Sequence, residues 1–168
     1  MVTVNEIYDI LKPYCEKVTE DLDALQVSLQ KGDTERQTRA PKAFCGRLPN
    51  SKSYEKYAPY IIVQYRAGYE RQTDGRYSTS TAIVSFICAV YNQNEEEGSR
   101  ELNNVMDRLK LAFLTDGVVG DLLEADKSDE GIISYVYTAD TAPYYAGELV
   151  VGFKLPATER EVPSLHGY

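Results

Sequence analysis

Histidine, cysteine and clustered carboxylates are the side chains that could perform chemistry in this sequence, and their spacing matches no catalytic or metal-binding motif. The single histidine, His166, stands in a C-terminal segment without periodicity, whereas a general base or metal ligand needs a supported position. Cys15, Cys45 and Cys88 lack the paired spacing of zinc sites, and we interpret them as free thiols of a reducing compartment. The run Glu95–Glu97 is interpreted as a solvated acidic face. We therefore predict a protein that is not an enzyme and that has no cofactor and no metal site.

Charge is distributed unevenly along the chain, whose formal net charge is −8. Residues 31–57 hold seven basic and three acidic side chains, whereas residues 93–130 hold eleven acidic and four basic ones. Such opposed blocks can pair within one subunit or between copies in a head-to-tail contact, and they can also serve solubility alone. The acidic total argues against a protein that grips nucleic acid by its phosphates, but it suits DNA that passes without binding. The candidate subunit-interface residues are Arg36, Arg39, Lys42, Arg47, Glu95, Glu96, Glu97 and Glu101.

Hydrophobic periodicity predicts the elements that must position these charges. One helix is predicted from Thr3, which forms a capping box with Glu6, and an amphipathic helix is predicted over residues 99–114. Strands are predicted at Leu25–Leu29, Pro59–Tyr65, Thr79–Tyr91, Ile132–Tyr137 and Tyr145–Leu155. Because these strands cluster in hairpins without βαβ alternation, we expect an α+β fold. Its sheet is predicted to be mostly antiparallel, with four or five strands and with the helices packed on one face.

The length of 168 residues indicates one domain, 1–168. Glycine, proline and weak periodicity predict a long basic loop at 31–57, and the lack of periodicity at 157–168 predicts an extended C-terminal arm. The pair Asp74 and Gly75 predicts a tight turn at the tip of a long hairpin. We expect the loop and the hairpin tip, residues 70–77, to become ordered on assembly. Neither a secretory signal nor a membrane span is expected, because no apolar run approaches the required length.

Three parts of the chain resemble a family of small phage proteins. They are Pro59–Tyr65, the strand-to-helix passage from Ala89–Gln93 to Met106–Leu109, and the block Ala142–Pro156, which is followed by Thr158–Glu161. Together they resemble the tail terminator (minor tail) proteins of siphophages and prophages of Gram-positive bacteria, which are similar to the lambda-type tail terminator. The resemblance covers roughly residues 58–161.

This resemblance implies a structural virion protein. It implies a homo-oligomeric ring, a hexamer in this family, that caps the tail tube and ends tube polymerisation. The same ring is expected to offer a surface to the head connector protein. The expected partners are other copies of the chain, the tail tube protein, the head connector protein, and DNA that passes through the bore without specific binding. The expected location is the head-proximal end of the virion tail, and the host cytoplasm during assembly. The alternatives are a head–tail connector or stopper protein, a cytosolic binding module and a small hydrolase.

Overall fold

The computed structural model describes residues 1–29, 32, 34–74, 77–127 and 131–159. These residues form two α-helices, one 3-10 helix and nine strands. The helices are α1 (Val4–Val18), the 3-10 helix (Ser51–Tyr57) and α2 (Glu95–Asp116). The strands are β1 (Leu25–Gln26), β2 (Thr38–Arg39), β3 (Lys42–Cys45), β4 (Tyr60–Asp74), β5 (Tyr77–Tyr91), β6 (Val118–Val119), β7 (Leu123–Ala125), β8 (Ile132–Val136) and β9 (Tyr144–Glu159).

Seven of these strands form one mixed sheet, whose spine is the series β3, β4, β5 and β9. The strands β4 and β5 form a long antiparallel hairpin, and β5 pairs with β9 along nearly its whole length. The outer edge of β9 carries β8 and then β7, and β6 pairs with β7. At the opposite edge β3 runs parallel to β4. The strands β1 and β2 form a separate antiparallel sheet.

The predicted fold class is therefore wrong, because the sheet has seven strands and is mixed where we expected four or five mostly antiparallel strands. The missed strands are short: β3 has four residues, β6 has two and β7 has three, too few to show a period of two. The strand predicted at Leu25–Leu29 is reduced to Leu25–Gln26 and lies in the small sheet.

The long basic loop predicted at 31–57 is not a single loop, because it contains β2, β3 and the 3-10 helix. Residues 157–159, which we assigned to an extended arm, continue β9. The remainder of that arm, including His166, lies outside the described residues, as does Gly75 of the predicted hairpin turn.

The core lies between the two helices and one face of the sheet. Alternate residues of the long strands point to this face, and α1 packs on β3 and β4 while α2 packs on β5 and β9. The predicted apolar stripe of α2 is buried, which confirms this part of the helix prediction. Its members are Leu102, Val105, Met106, Leu109 and Phe113. Phe113 meets Phe86 and Phe153 at ring-centroid distances of 4.9 and 5.6 Å, so aromatic contacts join α2 to the two central strands.

Candidate interaction surfaces

Four cationic side chains form a basic surface at β3 and the 3-10 helix, near the β3 edge of the sheet. Lys42 lies on β3, Arg47 follows this strand, and Lys52 and Lys56 lie on the 3-10 helix; all four are exposed. The ammonium groups of Lys42 and Lys56 stand 5.7 and 5.1 Å from the ring centroids of neighbouring aromatic residues. None of the four cations forms an ion pair with a described carboxylate. Their charge is therefore available to a partner.

Arg39, a predicted interface residue, instead serves the fold. Its Nη1 donates to the carbonyl oxygens of Ala40 (3.1 Å) and Pro59 (2.8 Å), and its Nη2 donates to that of Tyr57 (2.6 Å). Burial lowers the pKa of this guanidinium from its ordinary value. Because it satisfies three backbone acceptors inside its own chain, Arg39 does not belong to the basic surface.

Arg36 lies apart from the basic surface and contacts the segment that leads into α2. Its Nη2 donates to Oε1 of Gln93 at 3.2 Å, two residues before α2 begins at Glu95. The two charge blocks of the sequence therefore approach each other within one subunit at this point. The contact is to a neutral amide, so it leaves the nearby carboxylates unneutralised.

Three predicted interface residues, Glu95, Glu96 and Glu97, form an acidic surface in the first turn of α2, where all three are exposed. Asn94 caps this helix, since its side-chain oxygen accepts the backbone N–H of Glu97 at 3.1 Å. The carboxylates also lie at the positive end of the helix dipole. Glu96 pairs with Arg100 at 3.2 Å, but both side chains are more than three-quarters exposed, so the pair is weak. The acidic surface is thus fixed by the helix and remains open to a partner.

Glu101, the last predicted interface residue, is half-buried one turn further along α2. Burial raises the pKa of its carboxyl group, and Asn92 beside it offsets part of this rise. Its Oε2 is enclosed without a hydrogen-bond partner among the described residues. This carboxylate therefore faces the interior of the subunit and is poorly placed to meet a second copy.

Tyrosines form a second apolar cluster beneath the 3-10 helix, on the face of the sheet opposite the α-helices. Tyr144 is central: its ring lies 5.9 Å from Tyr54 and 5.2 Å from Tyr91. Its hydroxyl is hydrogen-bonded to the Ser28 hydroxyl at 2.8 Å. The tyrosine-rich composition is thus partly explained by a half-buried layer, which joins the 3-10 helix and the β1 segment to the sheet.

Beyond this cluster the same face of the sheet is bare and contains a cavity of about 300 Å³. Ser85 is fully buried at this cavity, and its hydroxyl has no hydrogen-bond partner among the described residues. At its side Arg66 and Glu148 form a loose ion pair of 3.8 Å. The walls come from Ile83, Tyr135 and Val150.

The strand β8 borders this bare face and exposes large side chains. Tyr135 and Val136 at its end, and Tyr137 directly after it, have exposed fractions of 49, 53 and 45%. The sequence pattern predicts this strand but does not predict that its side chains are exposed at an edge of the sheet. Alternation of apolar and polar residues shows that a strand exists, but it does not show which of the strand's two edges is paired.

The cysteines are free thiols, with Cys15 and Cys88 buried and Cys45 exposed. Burial raises the pKa of Cys88 to about 12 and raises that of Cys15 well above its ordinary value. In the described part of the chain no three histidine, cysteine, aspartate or glutamate side chains are grouped so that they could hold a metal ion. No helix there is both long and apolar enough to cross a membrane. Comparison with protein-family models and with curated proteins finds no match.

Proposed function

We propose that this chain is a structural subunit of the tail-terminator type, whose copies join head to tail in a ring. One observation carries the proposal. The basic surface and the acidic surface belong to different parts of one subunit, the first to β3 and the 3-10 helix near one edge of the sheet and the second to the first turn of α2. Two different and complementary patches are what a heterologous contact requires, and such a contact closes a ring when its rotation permits.

The contact proposed here involves a different set of residues from the contact expected from the sequence. It joins Lys42, Arg47 and Lys52 of one copy to Glu95 and Glu97 of the next, and it omits the inward-facing Arg39. Individual exposed pairs contribute about 0–1 kcal/mol, and a closed ring repeats the same set at every joint. Because these charges are solvated, the ring should weaken as the Debye length falls from about 10 Å at 0.1 M salt to about 3 Å at 1 M.

In this proposal the ring, a hexamer by resemblance to the family, caps the tail tube and ends its growth. It then presents a surface to the head connector, at the head-proximal end of the virion tail. The net charge of −8 supports a bore that DNA crosses without adhering, since like charges repel.

The test of the contact is assembly mass, measured by light scattering at low and high salt. The double variant Lys42→Glu with Lys52→Glu is expected to fold without forming rings, and adding Glu95→Lys with Glu97→Lys is expected to restore ring assembly in part. A matched control reverses Arg71 and Lys154, two exposed cations on the long hairpin and on β9, which changes the net charge equally. Assembly of the first variant at the wild-type level would refute the head-to-tail contact.

The test of the role uses the tail tube protein of the same phage or prophage. Added to polymerising tube protein, the assembled ring is expected to stop elongation and to be found at tube ends by electron microscopy. Binding to the head connector without any effect on tube growth would instead support the connector or stopper alternative.

A further inference from the structure

Among the described strands β8 lies at an edge of the sheet, and its outward backbone groups can be identified from its register. The N–H of Tyr137 donates to the carbonyl of Ala146 at 3.0 Å, and the N–H of Gly152 donates to that of Gly131 at 2.9 Å. In an antiparallel ladder the hydrogen-bonded positions alternate, so residues 133 and 135 also bond to β9. The backbone groups of Ile132, Ser134 and Val136 therefore point outward, and among the described residues they meet no other backbone group.

This edge lacks the features that usually protect an exposed strand. Ile132–Tyr137 contains no charged residue and no proline, and its register with β9 runs without a bulge. Its second half is about half exposed on both faces. By contrast, the part of β4 that extends past β3 carries Arg66, Glu70 and Arg71, and β6 and β7 are only two and three residues long.

We propose that β8 pairs with β8 of a second copy, in an antiparallel ladder centred on Ser134. Ser134 is the middle residue of β8, so a two-fold axis at this residue gives each of the five residues of the strand a partner in the second copy. It sets Ile132 opposite the second copy's Val136, and Ile133 opposite the second copy's Tyr135. Aliphatic and aromatic–β-branched pairs of this kind stabilise neighbouring strands. The outward N–H and C=O groups of Ser134 then bond to those of its symmetry mate.

The absence of charged residues in Ile132–Tyr137 favours a second copy of the chain as the partner of this edge. Each copy carries a net charge of −8, so most surfaces of two copies repel each other, but this six-residue edge brings no like charges together. The strand is also self-complementary in the pattern just described, which is the requirement for a contact about a two-fold axis.

This two-fold contact goes beyond the head-to-tail ring and shares none of its charged residues. Its presence would join two subunits, or two rings back to back, into one continuous sheet. Failure of one contact is therefore distinguishable from failure of the other, since charge reversal at Lys42 and Lys52 leaves β8 unchanged.

Cysteine cross-linking of the full chain tests the centre of the ladder. In a Cys45→Ser background, Ser134→Cys is expected to form a disulfide-linked dimer rapidly under mild oxidation. The Cα atoms of a hydrogen-bonded antiparallel pair lie about 5.5 Å apart, within the range that a disulfide spans. The control is Ser99→Cys in the same background, an exposed position on α2 that is expected to stay monomeric on non-reducing gels. Equal cross-linking of both variants would overturn the proposal.

A second variant tests the contact without oxidation. Val136→Lys places a charge in the ladder and is expected to raise the dimer dissociation constant about tenfold or more, whereas Val136→Thr keeps the branched shape and serves as the control. Circular dichroism melts establish that both variants fold. An unchanged dissociation constant in a folded Val136→Lys protein would overturn the proposal. Dimerisation that appears only after residues 160–168 are removed would also overturn it, because that segment would then be the occupant of the edge.

Discussion

Nη2 of Arg39 lies 2.6 Å from the carbonyl oxygen of Tyr57, so one side chain joins β2 to the end of the 3-10 helix. The same guanidinium bonds to Pro59 at the entrance to β4. The basic residues of segment 31–57 thus have two structural roles. Arg39 binds backbone carbonyl groups of its own chain, whereas the four residues of the basic surface are exposed. A variant that reverses every charge of this segment would therefore combine a loss of monomer stability with a loss of the contact between subunits.

Removing this guanidinium is expected to destabilise the monomer. Arg39→Ala removes a charged donor from three carbonyl groups, of which that of Pro59 keeps the backbone N–H of Lys42. Hydrogen bonds to a charged group contribute enough that we expect a loss of about 2–3 kcal/mol in the free energy of unfolding. Urea denaturation provides the measurement. Arg47→Ala, an exposed change in the same block, is expected to stay within about 0.5 kcal/mol of wild type. Similar losses in the two variants would contradict the role assigned to Arg39.

The buried stripe of α2 can be tested with two leucines on opposite faces of the helix. Leu109 is fully buried and Leu111 is 61% exposed. Leu109→Ala is expected to lower the free energy of unfolding by about 2–5 kcal/mol through lost burial and a residual cavity. Leu111→Ala is expected to change it by about 0.5 kcal/mol or less. Denaturant melts that reverse this order would show that the opposite face of α2 is buried.

Glu101 is expected to make stability depend on pH. Burial raises its pKa in the folded state above the ordinary 4.5, so its contribution to stability is fully present below pH 4.5 and is lost as the pH rises through the raised value. Glu101→Gln cannot ionise, and it is expected to be more stable than wild type at pH 7 and to lose this advantage below pH 4.5. Thermal or urea melts across this range give the measurement, with the exposed change Glu124→Gln as control. A constant difference between wild type and Glu101→Gln would contradict the assignment.

Thiol labelling distinguishes the three cysteines. Iodoacetamide at pH 8.5 is expected to modify Cys45 alone in the folded protein, because Cys15 and Cys88 are buried with raised pKa values and thiolate is the reactive form. The pKa of Cys45 is also raised, so its labelling should accelerate with pH. Intact-mass spectrometry is expected to show one label per native chain and three in urea. More than one label on the native chain would show that the core opens.

Prediction from sequence succeeded where a pattern was long and local. The stripe of α2 repeats over several turns, and the strand predicted at Thr79–Tyr91 corresponds to most of β5. The strand predicted at Pro59–Tyr65 covers only the first part of β4, which continues to Asp74 through residues that we assigned to the hairpin tip. By contrast, β3 is confined between Pro41 and Gly46, and its pairing with β4 depends on neighbours that a local pattern cannot show. The inward position of Arg39 has the same cause, since the three carbonyl groups it meets are set by tertiary packing.

The position of β9 in the sheet has a consequence for the order in which the protein is built. This strand lies later in the chain than β5, β7 and β8, and it pairs with all three. During synthesis the β3–β4–β5 part and the β6–β7 part emerge first, and each keeps an unpaired edge until β9 leaves the ribosome. Completion of the sheet therefore depends on pairings between distant parts of the chain, which are slow to form. A nascent chain that stalls before Tyr144 exposes the edge of β5, and this is the stage at which a chaperone would have most to protect.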